Sequence, residues 1–262
     1  GVSVKGDSFF YENPLEIRDE DYQVNYYDLE RNNHRAPRVR QKMFGCSCCP
    51  PNIVRFFASL GGYIYSHDGS GTLFVHQFIA SQAEQDGITV KMTTDFPNDG
   101  KISIKADGVK KIAVRIPYYS DMFSADVPYT VSDGYAVFDA TGAEIHIDLG
   151  LKPRFVYANT HVYDTIGRVV VLYGPIVYCA ETVDNESVEN FVANTHKPIG
   201  IEKGAFGVPD LILDGVWHVS GESLYSEVPP ERVQGTLHMI PYFAFANRGE
   251  SEMITYTYAY GE

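Results

Sequence analysis

From Tyr63 onward the chain alternates apolar and polar residues one by one, and this period of two constrains its fold more than any other feature. Lys101-Ile102-Ser103-Ile104-Lys105, Ile112-Ala113-Val114-Arg115-Ile116 and Glu144-Ile145-His146-Ile147-Asp148 each place every second side chain on one face, the pattern of a half-buried strand. Turn-forming clusters, His67-Asp68-Gly69, Pro97-Asn98-Asp99-Gly100 and Ser132-Asp133-Gly134, break the alternation at short, fairly even intervals. Strands spaced in this way predict antiparallel sandwiches and argue against alternating βαβ units, with about eight strands before residue 160. The expected class is mainly β.

A second apolar block, RVVVLYGPIVYCAE from Arg168 to Glu181, is followed by an irregular, acidic run to Pro230. Thr236 to Ala246 and Met253 to Tyr260 then read as closing strands. The expected division is therefore residues 1–62 as a separate piece, 63–167 as a first β-sandwich and 168–262 as a second, whose last strand is free to return to the first. One large sandwich with a long insertion is the other arrangement. Residues 1–45 show no core of their own, and Phe9, Phe10 and Tyr11 read as an exposed cluster with nothing to pack against, as in a segment cut from a larger domain. The stretch PPNIVRFFASLGG predicts one helix. A proline pair and Asn52 open it, Ile53, Phe56, Phe57 and Leu60 give it an apolar face, and Gly61-Gly62 stops it. A helix of about three turns is marginal alone, so that face is expected to dock on further helices or on the sheet that follows.

The net charge of −13 is unevenly placed: residues 1–62 hold eight Lys/Arg against eight Asp/Glu, leaving the whole excess in the β-rich part. Such a surface repels a polyanion, so no nucleic-acid partner is expected. Val169 to Ala180 is the longest apolar stretch, interrupted by Gly174-Pro175 and short of the roughly 20 residues of a membrane span, so no membrane partner is expected either. The start at Gly1, with no charged leader and apolar run behind it, reads as a trimmed or truncated chain. Reduced cysteines weakly favour a cytoplasmic home, and the compartment stays open.

Three of the four cysteines crowd into Cys46, Cys48 and Cys49, directly ahead of the predicted helix, while Cys179 sits in an apolar strand as a small buried hydrophobe. At a helix N-terminus free N–H groups and the helix dipole favour thiolate over thiol, and Arg35, Arg38, Arg40 and Lys42 would act in the same direction if their loop folds back. The residues alone leave three readings open: buried inert thiols, a metal site, or a catalytic nucleophile. A strained vicinal disulfide is a rarer fourth.

The string CSCCPPNIVRFFASLGGYIYS resembles the CCPPN-x-x-R signature of glycoside hydrolase family 127, the β-L-arabinofuranosidase-like family. FFYENPLE upstream, and LYGPIVYCAE and IPYFAFANRGESEM downstream, resemble landmarks of the same family in the same order. The resemblance implies the C-terminal portion of a retaining, zinc-dependent glycosidase acting on an arabinose-containing glycan. Residues 1–62 would then be the last remnant of an (α/α)6-barrel catalytic domain. It further implies zinc held by three cysteines and a glutamate, with Cys48 as nucleophile and ligand and Cys49 as ligand. Tyr11 stands where a substrate-contacting tyrosine is implied, an ordinary core aromatic being the equal alternative. In the family the other ligands, a Glu-x-Cys pair, and the acid/base glutamate lie upstream, and no cysteine precedes Cys46 here. The isolated chain is therefore expected to bind zinc weakly or not at all and to be inactive. Glu12 and Glu16 read as solvated carboxylates, not substitutes. His67, His76, His146 and His161 lack metal-site spacing, and Trp217 with the tyrosines is more simply core than a sugar-stacking groove. The rival classes are a stand-alone β-sandwich module for carbohydrate binding or homodimerisation, and a structural zinc protein.

Overall fold

The computed structural model describes residues 1–10, 13–18, 39–42, 48–219, 221 and 223–260. It is mainly β, with one α-helix. The chain forms two compact units, one of residues 47–152 and one of residues 1–46 with 153–262.

Strand β1 (Glu16–Ile17) belongs to the larger unit and helix α1 (Cys49–Ser59) to the smaller one. In the smaller unit follow β2 (Tyr65–His67), β3 (Thr72–Val75), β4 (Ser81–Gln85), β5 (Ile88–Thr94), β6 (Lys101–Asp107) and β7 (Lys111–Arg115). Strands β8 (Ser124–Ala125), β9 (Thr130–Ser132), β10 (Tyr135–Asp139) and β11 (Ile145–Asp148) complete it. They form two five-stranded sheets, β2-β3-β7-β10-β9 and β4-β5-β6-β11-β8. Their apolar faces supply one core that includes Val75, Val114 and Phe138 from the first sheet and Met92, Ile102, Ile104 and Ile147 from the second. The alternation in Lys101–Asp107 is thus the expected half-buried face, with Ile102 and Ile104 buried and Lys101 and Lys105 exposed. Each of the three turn clusters joins two strands as expected. The Asp68 carboxylate fixes the first by accepting the N–H groups of Ser70 and Thr72 at 2.9 and 3.0 Å. Here one pairing departs from the antiparallel expectation, β3 running parallel to β7, and in the larger unit the fifteenth and twentieth strands of the chain also pair parallel.

The larger unit continues with β12 (Pro153–Tyr157), β13 (Arg168–Tyr173), β14 (Ile176–Glu181), β15 (Phe191–Asn194) and β16 (Gly200–Glu202). Its last strands are β17 (Asp210–Val219), β18 (Glu231–Pro241), β19 (Met253–Ile254) and β20 (Tyr256–Tyr260). Because β12 pairs antiparallel with β13, residues 153–157 belong here and not with the first sandwich. Pairing of β13 with β14 closes β14-β18-β17-β15-β20-β13 into a ring, where an open sandwich was expected. Closure removes sheet edges, which an open sandwich must protect by other means.

The run to Pro230 is not irregular either, for it contains β15, β16 and the ten-residue β17. Asp214-Gly215 hides the period of β17. Glycine is required at 215 because a Cβ there would come within 2.3 Å of the Val192 carbonyl and 2.5 Å of the Phe191 ring.

Candidate functional site

Cys48 is the N-cap of α1 and Cys49 its first residue, followed by Pro50 and Pro51. The fixed φ of proline suits the first turn, and the N–H that it lacks is one that a helix start leaves unbonded in any case. The Cys48 side chain makes no capping bond to the helix. Cys48 is exposed and Cys49 half-buried. Their sulfurs lie 4.0 Å apart, about twice the 2.05 Å of a disulfide, so the vicinal disulfide is not formed. Inert burial is excluded for Cys48 as well. Cys179, by contrast, is fully buried in β14, and burial, reinforced by the Glu181 charge, pushes its thiol well up.

Helix α1 forms where predicted, yet no residue of it is buried. Val54, Phe56 and Phe57 are exposed, and Phe57 retains 64% of its surface. The expected docking of this face on the following sheet does not occur. Tyr11, Glu12, Cys46, Arg35 and Arg38 lie outside the described residues. Arg40 is committed elsewhere: it donates to the carbonyls of Phe243 and Phe245, and its guanidinium lies 4.8 and 5.2 Å from the ring centroids of Phe10 and Phe245. Glu16 pairs with Arg18.

The larger unit brings together three of the four sequence landmarks. Phe10 stacks on Phe245 with ring centroids 4.9 Å apart, Tyr242 donates to the Pro14 carbonyl at 2.7 Å, and β1 pairs with β19. Phe10 retains only 3% of its surface and Phe9 is buried too, so these two are not exposed as expected, and Phe10 joins a core with Cys179, Ile240, Phe245 and Met253. Glu181, the end of LYGPIVYCAE, pairs with Met253 of β19, and its carboxylate meets the ANRGE segment. Glu181 is 1% exposed, accepts the Ala246 N–H at 2.7 Å and pairs with Arg248 at 2.7 Å. Arg248 reaches Asp184 with the same fork, and these two carboxylates hold its proton more firmly than usual. His238 lies between Asp184 and Asp210, its ring nitrogens 3.5 and 3.4 Å from their oxygens. A glutamate closing an apolar strand, with an arginine in the other landmark, was the available signal for this buried pair.

Three other histidines among the described residues have side-chain partners. His76 bonds Ser66 and Tyr135, His146 bonds Ser103, and His67 lies 3.5 Å from Asp86.

Residues 153–258 match the model of the glycoside hydrolase family 127 C-terminal domain, which begins at the first residue of β12. Over 97% of its length the chain is 32% identical to a non-reducing end beta-L-arabinofuranosidase of Bifidobacterium longum, covering 42% of that protein. A family 127 beta-L-arabinofuranosidase of Geobacillus stearothermophilus superposes on 99% of the chain with a TM-score of 0.83 at 29% identity, and 44% of it is covered. A further family 127 beta-arabinofuranosidase gives 0.79 at 28% identity, with 43% of it covered. The chain thus spans less than half the length of these relatives. On these matches, residues 153–258 are a glycoside hydrolase family 127 C-terminal domain, in a chain that corresponds to the C-terminal portion of proteins of that family.

Proposed function

We propose that this chain supplies the thiolate half of a retaining, zinc-dependent glycosidase of β-L-arabinofuranosidase type, and that alone it is inactive. The observation that carries this reading is the sulfur pair at the start of α1, 4.0 Å apart with Cys48 open to solvent. Two thiolates each about 2.3 Å from a tetrahedral zinc lie about 3.8 Å from one another, so the pair fits two corners of such a site. It does not fit four. Among the described residues no group of three or more His, Cys, Asp or Glu converges on one point.

In this reading Cys48 and Cys49 would hold the metal, and a bound zinc would supply the charge that favours the Cys48 thiolate at neutral pH. Cys48 attacks the anomeric carbon of a non-reducing arabinofuranoside, displacing the leaving-group oxygen and forming a covalent thioglycoside. A carboxylic acid protonates that oxygen, then takes a proton from the water that releases the sugar with retention. The family resemblance assigns that acid, like the remaining ligands, to sequence upstream of the motif. The exposed apolar face of α1 supports the same reading, since a helix of this length needs a partner surface.

The test compares this chain, the same chain joined to the upstream portion of a family 127 relative, and the joined protein carrying Cys48→Ser, on a nitrophenyl β-L-arabinofuranoside. The joined protein should release nitrophenol, the chain alone should not, and Cys48→Ser should lower the rate by at least about three orders of magnitude. Turnover by the chain alone, or a Cys48→Ser protein that keeps its rate, would refute the proposal.

A further inference from the structure

We propose that the cavity between the segment after β14 and strands β17 and β18 binds a neutral saccharide. It measures about 450 Å³ and is walled by Asp184, Glu186, Asn190, Trp217, His218 and His238, among others. That volume falls within the roughly 300–1,000 Å³ typical of small-molecule sites.

The wall selects the ligand class. Among the described residues it contains no lysine or arginine, and the one guanidinium that reaches it, Arg248, is already shared between Asp184 and Glu181, so an anion would meet Glu186 without a counter-charge. An apolar ligand would strip water from those carboxylates and imidazoles and return no hydrogen bond. Among the described residues no group of three or more His, Cys, Asp or Glu could hold a metal ion. Vicinal hydroxyls, in contrast, donate to carboxylates and exchange bonds with amide and imidazole groups, while an aromatic side chain covers the C–H face of a sugar ring.

The polar groups are held in place before any ligand arrives. Arg248 donates to Asp184 at 2.7 Å and is itself held by buried Glu181. Asn185 accepts the His238 N–H at 2.9 Å and donates to the His238 carbonyl at 3.0 Å, pinning β18 at that residue. The His218 N–H donates to the Asn190 carbonyl at 2.9 Å. Within this fixed frame His238 Nδ1 is buried 3.5 Å from the Asp184 carboxylate and makes no hydrogen bond among the described residues. Trp217 packs on Phe191, with centroids 4.9 Å apart, and lies across Gly235, where a Cβ would come within 2.6 Å of the indole. A glycine at that point of β18 gives the indole its place.

Trp217 is the sole tryptophan of the chain, so its emission reports directly on the cavity. The intact chain is titrated with L-arabinose, D-galactose, D-glucose and, as an anionic control, citrate. We expect a saturable emission change with at least one sugar at a dissociation constant of the order of millimolar, and none with citrate. Asn190→Ala and His218→Ala should each weaken that binding about threefold to tenfold, the worth of one hydrogen bond, with an unchanged unfolding midpoint. No saturable change with any of the three sugars up to about 100 mM, confirmed by saturation-transfer NMR, would overturn the proposal. So would saturation by citrate, or sugar binding that survives both substitutions undiminished. The cavity chemistry does not rest on the glycosidase reading, which only motivates arabinose as a probe. Because binding is read without turnover, failure here leaves the Cys48 proposal standing, and the reverse also holds.

Discussion

At the scale of single residues, environment separates the thiols more than chemistry does. Cys48 is open at a helix start, whereas Cys179 is enclosed in β14 with its thiol pushed up. Brief alkylation at pH 7.5 followed by peptide mapping should label Cys48 and leave Cys179 unmodified until the chain is unfolded. Labelling of native Cys179 at the Cys48 rate would show that the strand is not closed over it. Glu181 makes a second case. Removing its partner with Arg248→Ala strands a carboxylate that is 1% exposed, and urea unfolding should register a loss of about 3–5 kcal/mol.

Asp210 gives a pH test with a defined sign. Burial raises its carboxyl, although nearby His238 opposes the shift. The native state therefore holds this proton more tightly than the unfolded chain. Its contribution to stability is present below the ordinary carboxylate range and is lost as pH rises through the raised native value. The stability of Asp210→Asn relative to the parent should accordingly increase between pH 3.5 and pH 7. A difference that stays constant or shrinks would contradict the assignment.

At the scale of elements, what was legible from sequence was what is local. The alternation of β6, β7 and β11, the turns at Asp68, Asp99 and Asp133, and the proline-led helix depend on neighbours a few positions away, and all form as read. Two kinds of element were hidden. Strand β17 carries Asp214-Gly215 in mid-course and is buried on parts of both faces, so no period of two marks it. The docking of Phe10 against Phe245, and the ring closure through β13 and β14, depend on partners that a linear pattern does not name. The site divided along the same line: the thiol pair could be read from its string, while the Glu181–Arg248 pair joins residues 67 positions apart.

These elements predict opposite responses to similar substitutions. Phe10→Ala removes a ring from a closed core and should cost about 3–5 kcal/mol, seen as a lower unfolding midpoint. Phe57→Ser on the open face of α1 should stay within about 0.5 kcal/mol in this chain. A large loss from Phe57→Ser would mean that the helix is already docked.

At the scale of the molecule, two β units accompany one exposed helix whose leading residues carry the thiols. The relatives are more than twice as long, and in the account proposed above the metal site and the acid are completed by sequence of that kind. The acidic excess of the chain lies wholly in residues 63–262, the β-rich part. Among the described residues no helix is long and apolar enough to cross a membrane.

The most direct measurement is the zinc content of the purified 262-residue chain after dialysis against a weak chelator, with arabinoside hydrolysis assayed on the same sample. Two sulfur donors without the rest of a four-ligand set should retain well below one zinc per chain and release no sugar. One tightly held zinc per chain, together with release of arabinose, would contradict the account.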